Sequence, residues 1–179
     1  MTELTGRDHA SFEFQNIVYE KHGRRATVTF NRPEVLNCVN LATLLELQAA
    51  FQDVSWDDSI AVMVLTGAGE RAFCTGADLK EQKANALDDP NWYWKWMAEF
   101  IRAHELLRNI GKPTVARLNG IVVGGGNEFN MSCDLAVAID DTYIRQVGTA
   151  MGSLAAAGAT QWLPIIVGGP RALENTLPG

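Results

Sequence analysis

Three consecutive glycines, Gly124-Gly125-Gly126, followed at once by Asn127-Glu128, constrain this chain more than any other stretch. A backbone without Cβ atoms can come into contact with another segment or with a ligand. Thr114 to Leu118, just before, reads as a strand, and about Gly126 to Cys133 reads as a helix. Strand, tight turn and helix must therefore follow one another closely. Glu128 then lies about one helical turn from the free N–H groups at the helix start. Such a pairing suits a polarised carbonyl with a carboxylate beside it. A second N–H can come from Ala77, which follows Gly76 in another turn after a strand. Taken alone, the glycine run also fits a plain turn that lets a helix pack close to a strand. Neither GxxxxGK[ST] nor GxGxxG is matched, so a phosphate loop is not indicated.

The rest of the chain alternates strand and helix. Phe12 to Tyr19 and Ala26 to Phe30 read as a hairpin around Lys21-His22-Gly23-Arg24. Leu44, Leu47, Phe51 and Val54 recur at helical spacing over Leu41 to Val54, with Asn40 as N-cap. Ile60 to Thr66 is an apolar run that suits a strand buried on both faces. Residues 79–90 are polar and end at the breaker Asp89-Pro90. Asn91 to Asn109 reads as a helix with two apolar stripes, one through Trp92, Trp96, Phe100, Ala103 and Leu107, the other through Trp94, Met97 and Ile101. A strand from Leu135 to Ile139 and helices over Gly158 to Val167 and Pro170 to Thr176 complete the series. The pattern is α/β with parallel strands joined by right-handed crossovers.

Composition removes several function classes. A net charge of −6 opposes nucleic-acid binding. Cys38, Cys74 and Cys133 are odd in number and form no CxxC pair, so neither a metal nor a disulfide is expected. They read as reduced thiols of a cytoplasmic protein, Cys133 in the core. His9, His22 and His104 share no ligand spacing, and none is expected to be catalytic. No apolar run is long enough to span a bilayer, and MTELTGRDHA lacks the features of a secretory signal.

A series of short motifs is far more specific than any one of them. Asn31-Arg32-Pro33 and Asn37 come first, then Gly67-Ala68-Gly69 with Ala72-Phe73-Cys74-Thr75-Gly76-Ala77-Asp78-Leu79-Lys80-Glu81. Lys112-Pro113-Thr114-Val115-Ala116, Asn119-Gly120, the glycine run and Cys133-Asp134-Leu135 follow in order. In that order and spacing they resemble the crotonase (enoyl-CoA hydratase/isomerase) superfamily, from about Phe12 to the end. The resemblance implies a spiral of ββα turns over residues 12–179, after a tail of residues 1–11, without the family's C-terminal helical part. It also implies an acyl-CoA thioester as substrate, with no cofactor beyond the coenzyme A it carries, and a homotrimer or dimer of trimers. The chain's abrupt end suggests a truncated or incompletely observed protein.

The resemblance implies further that the N–H groups of Ala77 and Gly125 form an oxyanion hole. Gly124, Ala77, Asp78, Leu79 and Lys80 match the family's coenzyme A contacts. Arg32 and Lys80 either meet its phosphates or are simply solvated, and Asp78 reads as a turn or cap residue. Glu128 matches the first of the two glutamates that the family's hydratases hold around one water. The second position falls on Gly148, which cannot move a proton. Two readings of Glu128 stand: a general acid/base, or a first-turn acid stabilised by the helix dipole. Around Gln146 to Leu163 the chain is similar to 6-oxocyclohex-1-ene-1-carbonyl-CoA hydrolases, which also combine one glutamate with a glycine. It is similar too to 1,4-dihydroxy-2-naphthoyl-CoA synthases, which lack the glutamate. Hydration, ring-opening hydrolysis, and isomerisation or C–C-bond chemistry with Ser153 or Thr149 as proton carrier all remain open. So does a non-catalytic acyl-CoA-binding protein. The Trp92, Tyr93, Trp94, Trp96 cluster falls on the family's variable acyl-pocket helix, where core packing or a subunit contact are the other readings.

Overall fold

In the computed structural model residues 4–86 and 88–177 are described. Residues 1–3, 87, 178 and 179 lie outside the described residues, and with them both ends of the expected tail-plus-spiral division. Strands β1 (Ile17–His22) and β2 (Arg25–Phe30) form an antiparallel hairpin with register Ile17↔Phe30 to His22↔Arg25. Helix α1 (Leu41–Trp56) follows. Then come β3 (Val62–Gly67), β4 (Ala72–Cys74), α2 (Leu79–Ala86) and α3 (Pro90–Arg108). The next turn is β5 (Thr114–Leu118), β6 (Ile121–Val123) and α4 (Gly125–Ser132). The last is β7 (Leu135–Ala138), β8 (Ile144–Arg145), α5 (Ala159–Val167) and α6 (Gly169–Thr176).

These elements repeat as ββα units. From β3 onward the first strand of each unit joins a five-stranded sheet of order β1-β2-β3-β5-β7, parallel beyond the hairpin. The second strand joins a parallel three-stranded sheet of order β4-β6-β8. Each turn of the spiral thus adds one strand to each sheet and a helix that leads back. Val28 and Phe30, Leu44, Leu47 and Phe51 of α1, Trp96 and Phe100 of α3 and Phe129 of α4 belong to one core cluster. Burying each such side chain contributes about 1.5–3 kcal/mol. Asn40 caps α1 as expected, its Oδ1 accepting from Thr43 N at 2.8 Å. No described helix is long and apolar enough to cross a membrane.

Several expectations are corrected. The first strand begins at Ile17 rather than Phe12. The Glu46 carboxylate takes the backbone N–H groups of Gln15, Asn16 and Ile17, so the preceding residues have no ladder to join. Phe12 stacks on Phe14 instead, with ring centroids 5.0 Å apart. Lys21 and His22 belong to the strand, and the turn is made at Gly23 (φ +57°). Within the expected tail, residues 9–11 form a 3-10 turn, and Arg7 N donates to buried Asp53 at 2.6 Å. The polar stretch after Leu79 is helix α2. The second apolar stripe of α3 is buried only at Met97, which packs against the core; Trp94 is 77% exposed and Ile101 is exposed too. Cys133 packs against the core only partly buried.

Candidate active site

The small sheet builds the site. Strands β4 and β6 are parallel neighbours, with Cys74 opposite Val122. Their carboxyl ends therefore lie side by side, and the turns that leave them, Gly76-Ala77 and Gly124-Gly125, must meet. They meet so closely that only glycine fits. A Cβ on Gly76 (φ +87°) would stand 2.8 Å from Gly125 N. One on Gly126 would stand 1.9 Å from the Cys74 carbonyl oxygen. Sequence spacing pointed to these two turns, and the structure brings them together.

Ala77 lies in extended backbone bridged to Val39. Val39 N donates to Gly76 O and Asp78 N donates to Val39 O, both at 2.8 Å. Alternation along extended backbone sends the Ala77 N–H to the opposite side. Gly125 is the first residue of α4, where an N–H has no partner within the helix. Among the described residues neither amide has a protein acceptor. Two half-buried donors are thus left open on adjoining turns.

Glu128, one turn along α4, is only 3% exposed. Its Oε1 accepts from the Gln146 side-chain amide at 2.7 Å and from Ala156 N at 2.8 Å. No hydrogen bond reaches Oε2 among the described residues, so that oxygen is the one left to carry a proton. Burial pushes the carboxyl pKa up, and the Ala156 N–H, the Gln146 amide and the Arg108 charge offset this only in part. Gln146 is itself buried and held through its backbone N–H by Asn175 Oδ1 at 2.8 Å. Arg108 reaches the Ala157 carbonyl and stands over the Trp162 ring at 5.9 Å. Gln146, Ala156 and Arg108 escaped sequence reasoning because two of the contacts use backbone or a generic polar side chain, which carry no pattern.

The other expected residues divide. Asp78 is a cap: its Oδ1 accepts from Lys80 N at 3.1 Å and Glu81 N at 3.3 Å at the start of α2. Its Oδ2 pairs with the Arg32 guanidinium at 2.9 Å. Burial opposes its charge, yet that guanidinium and the two N–H groups hold its carboxyl below the ordinary carboxylate range. Arg32 also donates to Cys38 O at 2.8 Å, so two of its donors are spent inside the protein. Leu79 and Lys80 are exposed beside the Ala77 turn. Gly148 opens a 3-10 turn with ordinary backbone angles, and a Cβ there would have 3.5 Å of clearance from residues 153 and 154. The Trp cluster disperses. Trp96 is buried and donates to Glu81 Oε2 at 3.0 Å, Trp92 packs against the core, and Trp94 faces outward. The thiols are poor nucleophiles: burial pushes Cys38 up to about 11 and Cys74 and Cys133 up to about 12. Among the described residues no cluster of three or more His, Cys, Asp or Glu side chains could hold a metal.

The sequence and the fold that carry this arrangement are similar to those of known proteins. The enoyl-CoA hydratase/isomerase family model matches residues 20–179. The chain is 36% identical over 156 residues to a short-chain-enoyl-CoA hydratase of Clostridium acetobutylicum, covering 87% of this chain and 59% of that protein. It is similar to the solved enoyl-CoA hydratase of Bacillus anthracis (TM-score 0.85, 32% identity, 90% of this chain and 62% of that one). It is similar also to DspI of Pseudomonas aeruginosa (TM-score 0.86, 32% identity, 93% of this chain and 67% of that one). The chain therefore spans about three-fifths of the length of the curated relative it matches. By sequence and by fold, the chain belongs to the enoyl-CoA hydratase/isomerase family of the crotonase superfamily.

Proposed function

We propose that this chain processes an acyl-CoA thioester and adds water to an α,β-unsaturated one, with Glu128 as general acid/base. The observation that carries this reading is the Glu128 carboxyl, buried one turn from the Gly125 amide, with one oxygen fixed by two donors and the other without a hydrogen bond among the described residues. In the proposed step Glu128 takes a proton from water at Oε2 while the water oxygen bonds to the β-carbon. The C=C electron pair moves to the thioester oxygen. Ala77 N–H and Gly125 N–H hold that oxygen, each contributing about 2.7–4 kcal/mol in comparable sites. The enolate then collapses, and Glu128 returns the same proton to the α-carbon. Asp78, Leu79, Lys80 and Gly124 line the approach of the coenzyme A portion, with Arg32 holding Asp78 in place. The test follows crotonoyl-CoA in heavy-oxygen water. Loss of the conjugated chromophore with one labelled oxygen at the β-carbon supports hydration. Binding without any turnover overturns it in favour of an acyl-CoA-binding protein.

Gly148 favours a second reading, hydrolytic ring opening of a cyclic oxo-enoyl-CoA, because a glycine leaves space where a second carboxylate would stand. Gly148→Glu separates the two. Its backbone angles and 3.5 Å clearance accept a side chain, so the variant is expected to fold. If the space serves simple hydration poorly, kcat with crotonoyl-CoA rises about tenfold or more, the lower range for an added acid–base group. A fall in kcat with crotonoyl-CoA shows that the vacated space is needed for the substrate itself.

A further inference from the structure

The Gly125 amide can act only if the first turn of α4 is held still, and α4 has little of its own to hold it. It begins on three glycines, and its N-cap, Gly124, offers no side chain. What lies behind that turn is a stack of rings from α3. Trp96 and Phe100 are stacked with centroids 5.3 Å apart. Phe100 and His104 follow at 4.4 Å, and His104 lies flat on Phe129 of α4 at 3.8 Å and 23°. A Cβ on Gly125 would touch Phe100 Cζ at 2.9 Å, so the stack abuts the glycine itself.

His104 is the odd member. It is wholly buried, and its Nδ1 lies 2.7 Å from Phe100 O, one turn back on its own helix. A separation that short requires the proton on Nδ1. Among the described residues its buried Nε2 makes no hydrogen bond, although the Gly125 backbone lies near the ring. A purely apolar side chain would fill this place without leaving a nitrogen unsatisfied, at a cost of about 1–3 kcal/mol. Burial drives the imidazole pKa down to about 3, against the Phe100 and Gly125 backbone groups that favour a charged ring. The ring is therefore neutral and adds no charge beside the Gly125 amide. The Nδ1 bond fixes the tautomer, while the flat contact with Phe129 sets the plane of the wedge.

We propose that His104 is a positioning residue for the Gly125 amide: a neutral ring, locked to Phe100 O and wedged against Phe129, that sets the height of the first turn of α4. The proposal rests on reading Gly125 N–H as a donor to the thioester oxygen. It leads to a division of labour on α3, in which one face fills the core and the same rings register the donor turn.

The test uses the full chain with His104→Leu and His104→Met, apolar residues of similar volume, and His104→Phe, which keeps a flat ring. Turnover is read with crotonoyl-CoA. Polarisation of the bound carbonyl is read from the absorption shift of cinnamoyl-CoA on binding. The Leu and Met variants are expected to lose about thirtyfold or more in kcat, with KM within about threefold, as for an interaction made in the transition state. They also lose most of the cinnamoyl shift. The Phe variant keeps the shift and at least about a third of kcat, because the wedge remains. A Leu or Met variant with wild-type kcat and shift makes His104 a core residue only and overturns the proposal. Should neither fold, the Phe variant decides alone: losing the shift while folded overturns the wedge, and keeping it supports the wedge. A wild-type protein that binds cinnamoyl-CoA with no shift at all sinks the donor reading itself rather than the role of His104.

Discussion

Glu128→Gln is expected to lower kcat for crotonoyl-CoA by about 10²–10⁴-fold, the contribution of a positioned general acid–base, with KM within about threefold. The change is nearly isosteric. Gln Oε1 can still accept from Gln146 and Ala156 N, so both anchors persist. Only the proton-carrying oxygen is lost. The same variant is expected to be more stable than the parent. Burial raises the Glu128 pKa in the folded state. The stability this group contributes is present below the unfolded carboxyl value and is lost as pH rises through the elevated folded value. At neutral pH the buried carboxylate is therefore a cost, and Gln removes it. Melting temperatures taken from about pH 5 to pH 8 should show the gap over wild type widening as pH rises. In the parent, activity should fall on the acid side as the carboxylate protonates, with the midpoint displaced toward neutrality. Undiminished kcat in the Gln variant removes Glu128 from the mechanism. A lower melting temperature at every pH shows that the anchors, and not the charge, set the balance.

The large sheet and the long helices were legible in the sequence because each carries many residues in one period. Leu44, Leu47, Phe51 and Val54 repeat at helical spacing, all are buried, and their helix has the cap that Asn40 promised. The small sheet was not legible. Its strands are three, three and two residues long, too short to show a period, and the site hangs from their ends. Glycines betrayed those ends, since Gly76, Gly125 and Gly126 stand where a Cβ would collide with neighbouring backbone or rings. Misreadings arose where tertiary contacts overrode pattern. Glu46 capped the backbone before Ile17 and stopped a strand that Phe12 and Phe14 suggested. Asp78 began a helix in a stretch too polar to announce one. The supports of Glu128 were illegible for another reason: Ala156 acts through its N–H, which every residue but proline has, and Gln146 lies eighteen positions away.

Gly125→Ala should produce the second large effect, because it tests the donor without touching any proton carrier. Gly125 has ordinary helical angles, so alanine is not strained there, and helix propensity even favours it. The penalty is steric. The new methyl would stand 2.9 Å from Phe100 Cζ, 3.1 Å from Phe100 Cε2 and 3.2 Å from Gly76 Cα. Phe100 has little room to swing aside, being stacked on Trp96 and held against the tilted His104 ring at 4.4 Å. The first turn of α4 must then move away from Gly76, and the Gly125 N–H separates from the Ala77 N–H. A few tenths of an ångström suffice to weaken a donor aimed at one oxygen, and losing such a donor costs about 10²–10³ in kcat. The neighbouring Gly126 offers no such test, since a methyl 1.9 Å from Cys74 O reports on folding alone. The decisive comparison adds Phe100→Leu. Leucine withdraws the ring edge, so the double variant should recover much of the lost kcat although each single change is harmful, a coupling expected of residues in contact. Steady-state kinetics on the four proteins reads this directly. If the double variant is as slow as the sum of its parts, the methyl harms turnover by some route other than displacing the Gly125 amide.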